Sequence, residues 1–304
     1  MFIIGVDLGG TLIRAGLFTE AGEMLDREER DTLAAEGPEA VISRIKEAVF
    51  HVCDRQGIDV RHDQIMGLGI GCPGPLNPYP GVVLSPPNLP GWEHIPLRDI
   101  LSEAFNVPVY LNNDANAAVL GEYYYGSSKG TNNLIYMTIS TGIGSGVLID
   151  GRLLLGENGN AGEVGHMVVD VNGPVCGCGN KGCLEAIASG TGIVKRTKAK
   201  LTQTEQASPL RDIDGFTARH VFEAAKAGDP LAMEIVEETR YYLGVGIANI
   251  INLYNPQKIV FGGGVSKAGD FLLKPPLKSP DRKHCQVLVK GCSLSGPVWA
   301  AMWG

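Results

Sequence analysis

Residues 2–18 read FIIGVDLGGTLIRAGLF: an apolar run at Phe2–Asp7, a turn at Leu8-Gly9-Gly10-Thr11, and a second apolar run at Leu12–Phe18. Short apolar runs on either side of paired glycines predict strand, turn, strand. The pattern returns further on, where Leu134–Ser140 and Gly146–Ile149 flank the glycines of Ser140-Thr-Gly-Ile-Gly-Ser-Gly146. Each copy is followed by helical and strand patterns. The repetition predicts an internal duplication of one β-rich α/β unit, and with it two lobes and a cleft between them.

Between and beyond these copies the patterns are mostly plain. Pro38 opens a helix with Val41, Ile45, Ala48, Val49 and Val52 on one face. Ile65–Gly71 is a buried-strand run stopped by Cys72-Pro-Gly-Pro75, and Asn77–Trp92 is a long ordered loop punctuated by Pro and Gly. Val107–Leu111 predicts a strand and residues 115–125 a helix. Helical patterns resume near Thr191–Leu201, Phe216–Ala227 and Pro230–Tyr254, and the strand Lys258–Phe261 closes on Gly262-Gly263-Gly264.

The chain has 304 residues, 41 of them glycine, and a net charge of −7. The glycines cluster between apolar runs, which means tight turns and close backbone approaches rather than disorder. An acidic balance gives no electrostatic footprint for nucleic acid or an anionic membrane. No basic leader precedes the first strand, and no run of about 18 apolar residues occurs, so neither a signal peptide nor a membrane span is expected. Seven cysteines, an odd number, fit a metal site in a reducing compartment better than a disulfide framework. The expected location is the cytoplasm.

Three motifs carry chemistry. Gly162-Glu-Val-Gly-His166 followed by Cys176-Gly-Cys178-Gly-Asn-Lys-Gly-Cys183-Leu-Glu185 offers one histidine and three cysteines, a complete tetrahedral set for structural zinc. Glu163 and Glu185 stand just outside its two ends, where the clamp would fix them. The two glycine turns can cradle phosphates through backbone N–H groups and Thr or Ser hydroxyls, although for either turn alone a plain hairpin is the better reading. A dinucleotide fingerprint is excluded because GIGSG runs into the strand-like Val147–Asp150, so no helix dipole follows it, and no Walker P-loop occurs. Asp114, in Leu111-Asn-Asn-Asp-Ala-Asn116, stands where a strand ends and a helix begins. Locally it reads as a helix cap; at a strand's carboxyl end it can also serve as a base in a ligand crevice.

These residues resemble the ROK family (repressors, open reading frames and kinases), from GVDLGGT at Gly5–Thr11 to FGGG at Phe261–Gly264. The most specific part is TGIGSGVLIDGRLLLGENGNAGEVGH with CGCGNKGCLE. The PNLPGW and LNNDANAA segments are most similar to the family's glucokinases. The resemblance implies the actin/hexokinase-like (ribonuclease H-like) fold, with residues 1–115 as a small lobe, 116–290 as a large lobe and 291–304 returning to the small one. It implies phosphorylation of a hexose by ATP, with Mg²⁺ and structural Zn²⁺, and Asp114 as general base on the 6-hydroxyl. Asn88, Asn113, Glu163, His166 and Glu185 would bind the sugar, and His166, Cys176, Cys178 and Cys183 the zinc. Asp7, Gly9, Gly10, Thr11, Arg14, Thr141, Gly142, Gly263 and Gly264 would meet the nucleotide, Asp7 helping to place Mg²⁺.

The sequence departs from the family in two places. Leu12 stands where many relatives carry Lys, leaving Arg14 as the nearest cation. After Leu273, Lys274-Pro-Pro276 and Ser279-Pro280 break the helix expected there. Glucose is the expected substrate, N-acetylglucosamine or N-acetylmannosamine the alternative, and a homo-oligomer (dimer or tetramer) the expected assembly. The rival from another class is a sugar-responsive regulator; it is disfavoured because such proteins carry a helix-turn-helix ahead of the first hairpin, whereas here six residues precede Asp7 and the net charge is acidic.

Overall fold

The computed structural model describes residues 1–61 and 64–273, and the backbone of 286–289. It divides into two compact units, residues 1–121 with 154–161, and residues 122–153 with those from 162 on. The expected return of residues 291–304 lies outside the described residues.

The first unit contains β1 (Phe2–Leu8), β2 (Leu12–Thr19), β3 (Met24–Asp31), α1 (Pro38–Asp54), β4 (Ile65–Cys72), the small hairpin of β5 (Leu76–Asn77) and β6 (Val82–Val83), α2 (Leu97–Phe105), β7 (Val109–Asn113) and the start of α3 (Asp114–Tyr124). Its sheet runs β3-β2-β1-β4-β7. The first three strands are antiparallel neighbours, and β4 and β7 join in parallel. One face is a dry core. Ile4, Val6 and Leu8 of β1 and Ile13, Ala15 and Leu17 of β2 meet Val41, Ile45, Ala48, Val49 and Val52 of α1. Leu97, Leu101 and Phe105 of α2 complete it. Fully burying such a side chain stabilises the fold by roughly 1.5–3 kcal/mol. All five residues expected on the inner face of α1 are there. Leu89 and Trp92 of the Asn77–Trp92 loop are buried too, as expected of an ordered segment. On the opposite face of the sheet Gly5, Gly16, Gly69 and Gly71 make room, the Phe18 ring lies over the first two, and Asp7 and Arg14 stand at one end.

The second unit repeats the plan. It contains β8 (Leu134–Ile139), β9 (Ile143–Ile149), β10 (Arg152–Leu153), α4 (Leu184–Ala188), α5 (Gly190–Gln203), α6 (Ala218–Lys226), α7 (Pro230–Tyr254), β11 (Lys258–Gly262), α8 (Asp270–Leu273) and β12 (Gln286–Val289). The sheet order is β10-β9-β8-β11-β12. Again three antiparallel strands are extended by two parallel ones. Position for position, β8 to β12 match β1 to β4 and β7, which is the expected duplication. No helix among the described residues is long and apolar enough to cross a membrane.

Several sequence readings change; α2, for one, has no counterpart among the expected helices although it buries Leu97, Leu101 and Phe105. β9 begins at Ile143 rather than Gly146, because Ile139 pairs with Ile143 and leaves only residues 140–142 as the turn. Gly144 and Gly146 are therefore strand residues. β3, MLDREERD, escaped the sequence reading because it is an edge strand with charged residues on both faces and no apolar face.

Candidate active site

In the first unit the predicted residues gather around one hairpin and one strand-helix junction. The turn after β1 is closed by Gly9 N–H donating to Leu12 O (2.9 Å). It is braced from behind by the buried Thr32, whose hydroxyl donates to Gly9 O (2.7 Å) and whose N–H donates to Thr11 O (2.7 Å). Gly10 must lack a side chain: a Cβ there would lie 2.9 Å from both Cβ and O of Asn88. That close approach brings the candidate sugar residue Asn88 against the candidate phosphate turn. Asp7, at the end of β1, meets Arg14 across the strands (Nη1–Oδ2 3.1 Å), and Arg14 also reaches Glu29 (Nε–Oε2 2.8 Å).

At the junction of β7 and α3, Asn113 Oδ1 and Asp114 Oδ1 both accept from Ala115 N–H, at 2.8 and 2.7 Å. The side chain of Asn112 accepts from Asn113 N–H and from Asn116 Nδ2, each at 2.9 Å. The cap is therefore Asn113, two residues before the N–H it accepts from; Asp114, read from local sequence as the cap, is instead the first helical residue, and no lysine or arginine among the described residues pairs with it. It remains solvent-accessible while enough protein surrounds its carboxyl to disfavour the charge. Its pKa is raised, first by burial and then by the negative charge of Asp7, against the opposing bond from Ala115 N–H. A raised carboxylate at a strand's carboxyl end suits a general base. A half-exposed Asp7 near it suits a hard, mostly hydrated ion such as Mg²⁺, which takes one or two carboxylates plus phosphate oxygens.

In the second unit Glu185 is the organising side chain. Its Oε2 accepts from Ile143 N–H (2.8 Å), and its Oε1 lies 3.8 Å from Cys176 Sγ. A Cβ on Gly142 would fall 2.5 Å from Oε2, so the glycine makes room for the carboxylate under the hairpin. The turn carrying Glu163 and His166 sits on the same strand. A Cβ on Gly165 would be 2.1 Å from Ile143 O, and Ser145 Oγ donates to Gly162 O. Glu163, His166 and Glu185 are therefore all held against β9 and its turn.

The four expected metal ligands converge. One ligand atom from each of His166, Cys176, Cys178 and Cys183 lies within 4.8 Å of all the others. Cys178 and Cys183 sulfurs are 3.7 Å apart, as are Cys176 Sγ and His166 Nδ1. A tetrahedral ion with metal–sulfur bonds of about 2.3 Å needs ligand–ligand edges of about 3.8 Å. The donor set fits zinc. Burial pushes the Cys183 thiol up to about 12 and raises Cys176, while the backbone N–H of Asn180 lowers the exposed Cys178. The first two thus need a cation to become thiolates.

The nucleotide side adds residues that the sequence reading missed. The N-terminus of α5 abuts the second hairpin: Gly190 N–H donates to Ser140 O (2.7 Å) and Thr191 N–H to Thr141 O (3.2 Å). A helix dipole, judged absent because no helix follows GIGSG directly, arrives from a later segment. Its first N–H groups fix the hairpin rather than remain open. The signal was Ser189-Gly-Thr-Gly192, a cap with small residues, whose Ser189 Oγ accepts from Gly192 N–H (3.0 Å). Beside it is a cavity of about 890 Å³, lined by Thr141, Thr191, Lys195, Phe216, Gly264 and Lys267 among others. Gly263, at φ +90°, sits where a Cβ would be 2.3 Å from Ile139 O, so only glycine lets the chain turn there.

Comparisons with known proteins identify the family and the fold. The ROK family model matches residues 3–288. A glucokinase of Halalkalibacterium halodurans is 41% identical over 278 residues, 90% of this chain and 83% of the relative. The solved ROK hexokinase of Thermus thermophilus is 34% identical with a TM-score of 0.79, covering 99% of this chain and 97% of that one. A ROK glucokinase of Streptomyces griseus, solved with glucose and AMPPNP, is 35% identical with a TM-score of 0.76, covering 99% and 98%. With the duplicated sheets and the matching motifs, the actin/hexokinase-like fold follows, and the chain belongs to the ROK family.

Proposed function

We propose that the protein transfers the γ-phosphoryl group of Mg·ATP to the 6-hydroxyl of glucose, with Asp114 as general base. The observation that carries this reading is Asp114 itself: accessible, unpaired with any cation among the described residues, and raised in pKa at a strand's end beside Asp7. The similarity to glucokinases, one solved with glucose and AMPPNP, supports the substrate and the donor.

In this reading the 6-hydroxyl donates a hydrogen bond to Asp114. As the O6–phosphorus bond forms, the bond from phosphorus to the β,γ-bridging oxygen breaks, ADP leaves and the hydroxyl proton passes to the Asp114 carboxylate. The transition state is loose, so positioning and charge matter more than base strength. Asn88, Asn113, Glu163, His166 and Glu185 hold the remaining hydroxyls, the carboxylates through charge-assisted bonds. Gly9, Gly10, Thr11, Thr141 and Gly142 face the phosphates, and Gly263 and Gly264 border the adenosine. Mg²⁺ held near Asp7 would neutralise phosphate charge. Zinc bound by His166, Cys176, Cys178 and Cys183 would lock the segment from Glu163 to Glu185. The thiol-rich ligand set supports a reducing, cytoplasmic setting.

The test is ADP release at fixed Mg·ATP over glucose, mannose, N-acetylglucosamine and N-acetylmannosamine. Glucose is expected to give the highest kcat/KM. No stimulation by any hexose would refute the reading.

A further inference from the structure

Leu12 and Arg14 lie on one face of β2, because side chains two apart on a strand point the same way. The cation absent at position 12 is therefore present one pleat further from the turn. There it enters a row of alternating charge. The register sets Asp7 opposite Arg14 and Arg14 opposite Glu29, across β1, β2 and β3. The guanidinium spans both carboxylates, at 3.1 Å to Asp7 and 2.8 Å to Glu29. All three side chains are about half exposed, so such pairs add little to stability. The row has a more direct effect on whatever else would use Asp7.

Resting on the kinase reading, we infer that Arg14 is a positioning residue that competes with the divalent cation for Asp7, and that Glu29 is the tether that draws Arg14 away. A guanidinium on Asp7 offsets the charge that a Mg²⁺ ion needs, and an ion on Asp7 repels the guanidinium. Glu29 offers Arg14 a second partner through Nε, so the arginine can give up Asp7 without being left unpaired. The Arg14 pKa is raised, and its bond to Glu29 is the largest cause, ahead of Asp7. The row thereby sets how much free cation the site requires before it is loaded.

The experiment compares wild type with Arg14→Gln, Glu29→Gln and, as a control for general charge, Arg27→Gln. Arg27 is an exposed arginine on the same face of β3 as Glu29 but outside the row. Mn²⁺ is titrated into enzyme with ADP and glucose, and unbound Mn²⁺ is read by electron paramagnetic resonance; the Mg²⁺ half-saturation of turnover is measured in parallel. Exposed ion pairs of this kind translate into about two- to five-fold changes in affinity. Arg14→Gln should tighten Mn²⁺ by that factor, Glu29→Gln should weaken it, and Arg27→Gln should leave it unchanged. The differences should shrink at high salt.

Several outcomes overturn the inference. Weaker Mn²⁺ binding in Arg14→Gln would show that the arginine serves the phosphates instead. Shifts of the same sign in Arg14→Gln and Glu29→Gln, no shift in either, or an equal shift in Arg27→Gln would remove the competition. A wild-type protein that binds Mn²⁺ yet releases no ADP with any hexose would refute the kinase reading, not the charge row.

Discussion

Asp114 shows how far one side chain can be read from sequence. Asn-Asn-Asp at a helix start is ordinary capping chemistry, but the structure gives the cap to Asn113, whose Oδ1 accepts from Ala115 N–H, and makes Asp114 the first helical residue. What local sequence does not supply is the surrounding protein and the nearby Asp7 that together raise its pKa. Replacing it with Asn leaves the Asn113 cap in place and removes the proposed base. We expect kcat to fall by about 10²–10⁴ with sugar KM little changed, measured by steady-state kinetics. The acid limb of the wild-type profile should lie above the reference carboxylate value of about 3.9. The same shift affects stability. A raised carboxylate binds its proton more tightly when folded, so stability falls as pH rises from the unfolded pKa through the folded one. Asp114→Asn should therefore melt no lower than wild type at pH 7, with any advantage vanishing below about pH 4; thermal scans across pH will check both.

Long elements with one buried face were legible and short or charged ones were obscure: α2, nine residues, was missed although it buries Leu97, Leu101 and Phe105. α1 announced itself through five apolar positions at helical spacing, and α7 was bounded by Pro230 and Tyr254 in sequence and structure alike. β3 has no apolar face, and the placement of α5 under a hairpin some fifty residues earlier is tertiary information. The α5 cap is itself testable. Ser189 is buried, and Ser189→Ala would leave Gly192 N–H without its acceptor. Losing such a cap costs about 0.5–2 kcal/mol. The melting temperature should fall by a few degrees, and KM for ATP should rise more than KM for glucose, because the helix anchors the phosphate turn. The metal knuckle gives a second test. On the zinc reading, wild type should carry one equivalent of zinc by a chromogenic chelator assay, and Cys183→Ser should carry none and raise KM for glucose by about ten-fold or more.

For the molecule as a whole, the duplication was visible in two glycine turns, and the two sheets carry it into strand order and direction alike. The sequence pointed to Glu163, His166 and Glu185 through their spacing around the metal motif. It did not reveal that all three press on β9, because that depends on backbone approaches at Gly142 and Gly165. Glucose should stabilise the folded chain through its binding free energy, by about 2.7 kcal/mol at a hundred times its dissociation constant. Calorimetry with and without glucose should show an upward shift, and a non-binding hexose should not. Glu185 carries one more implication. A single carboxylate touches both the donor turn, through Ile143, and the sulfur cage, through Cys176. On the function proposed above, stripping zinc is therefore expected to raise KM for sugar and for ATP together, as steady-state kinetics after chelation will check.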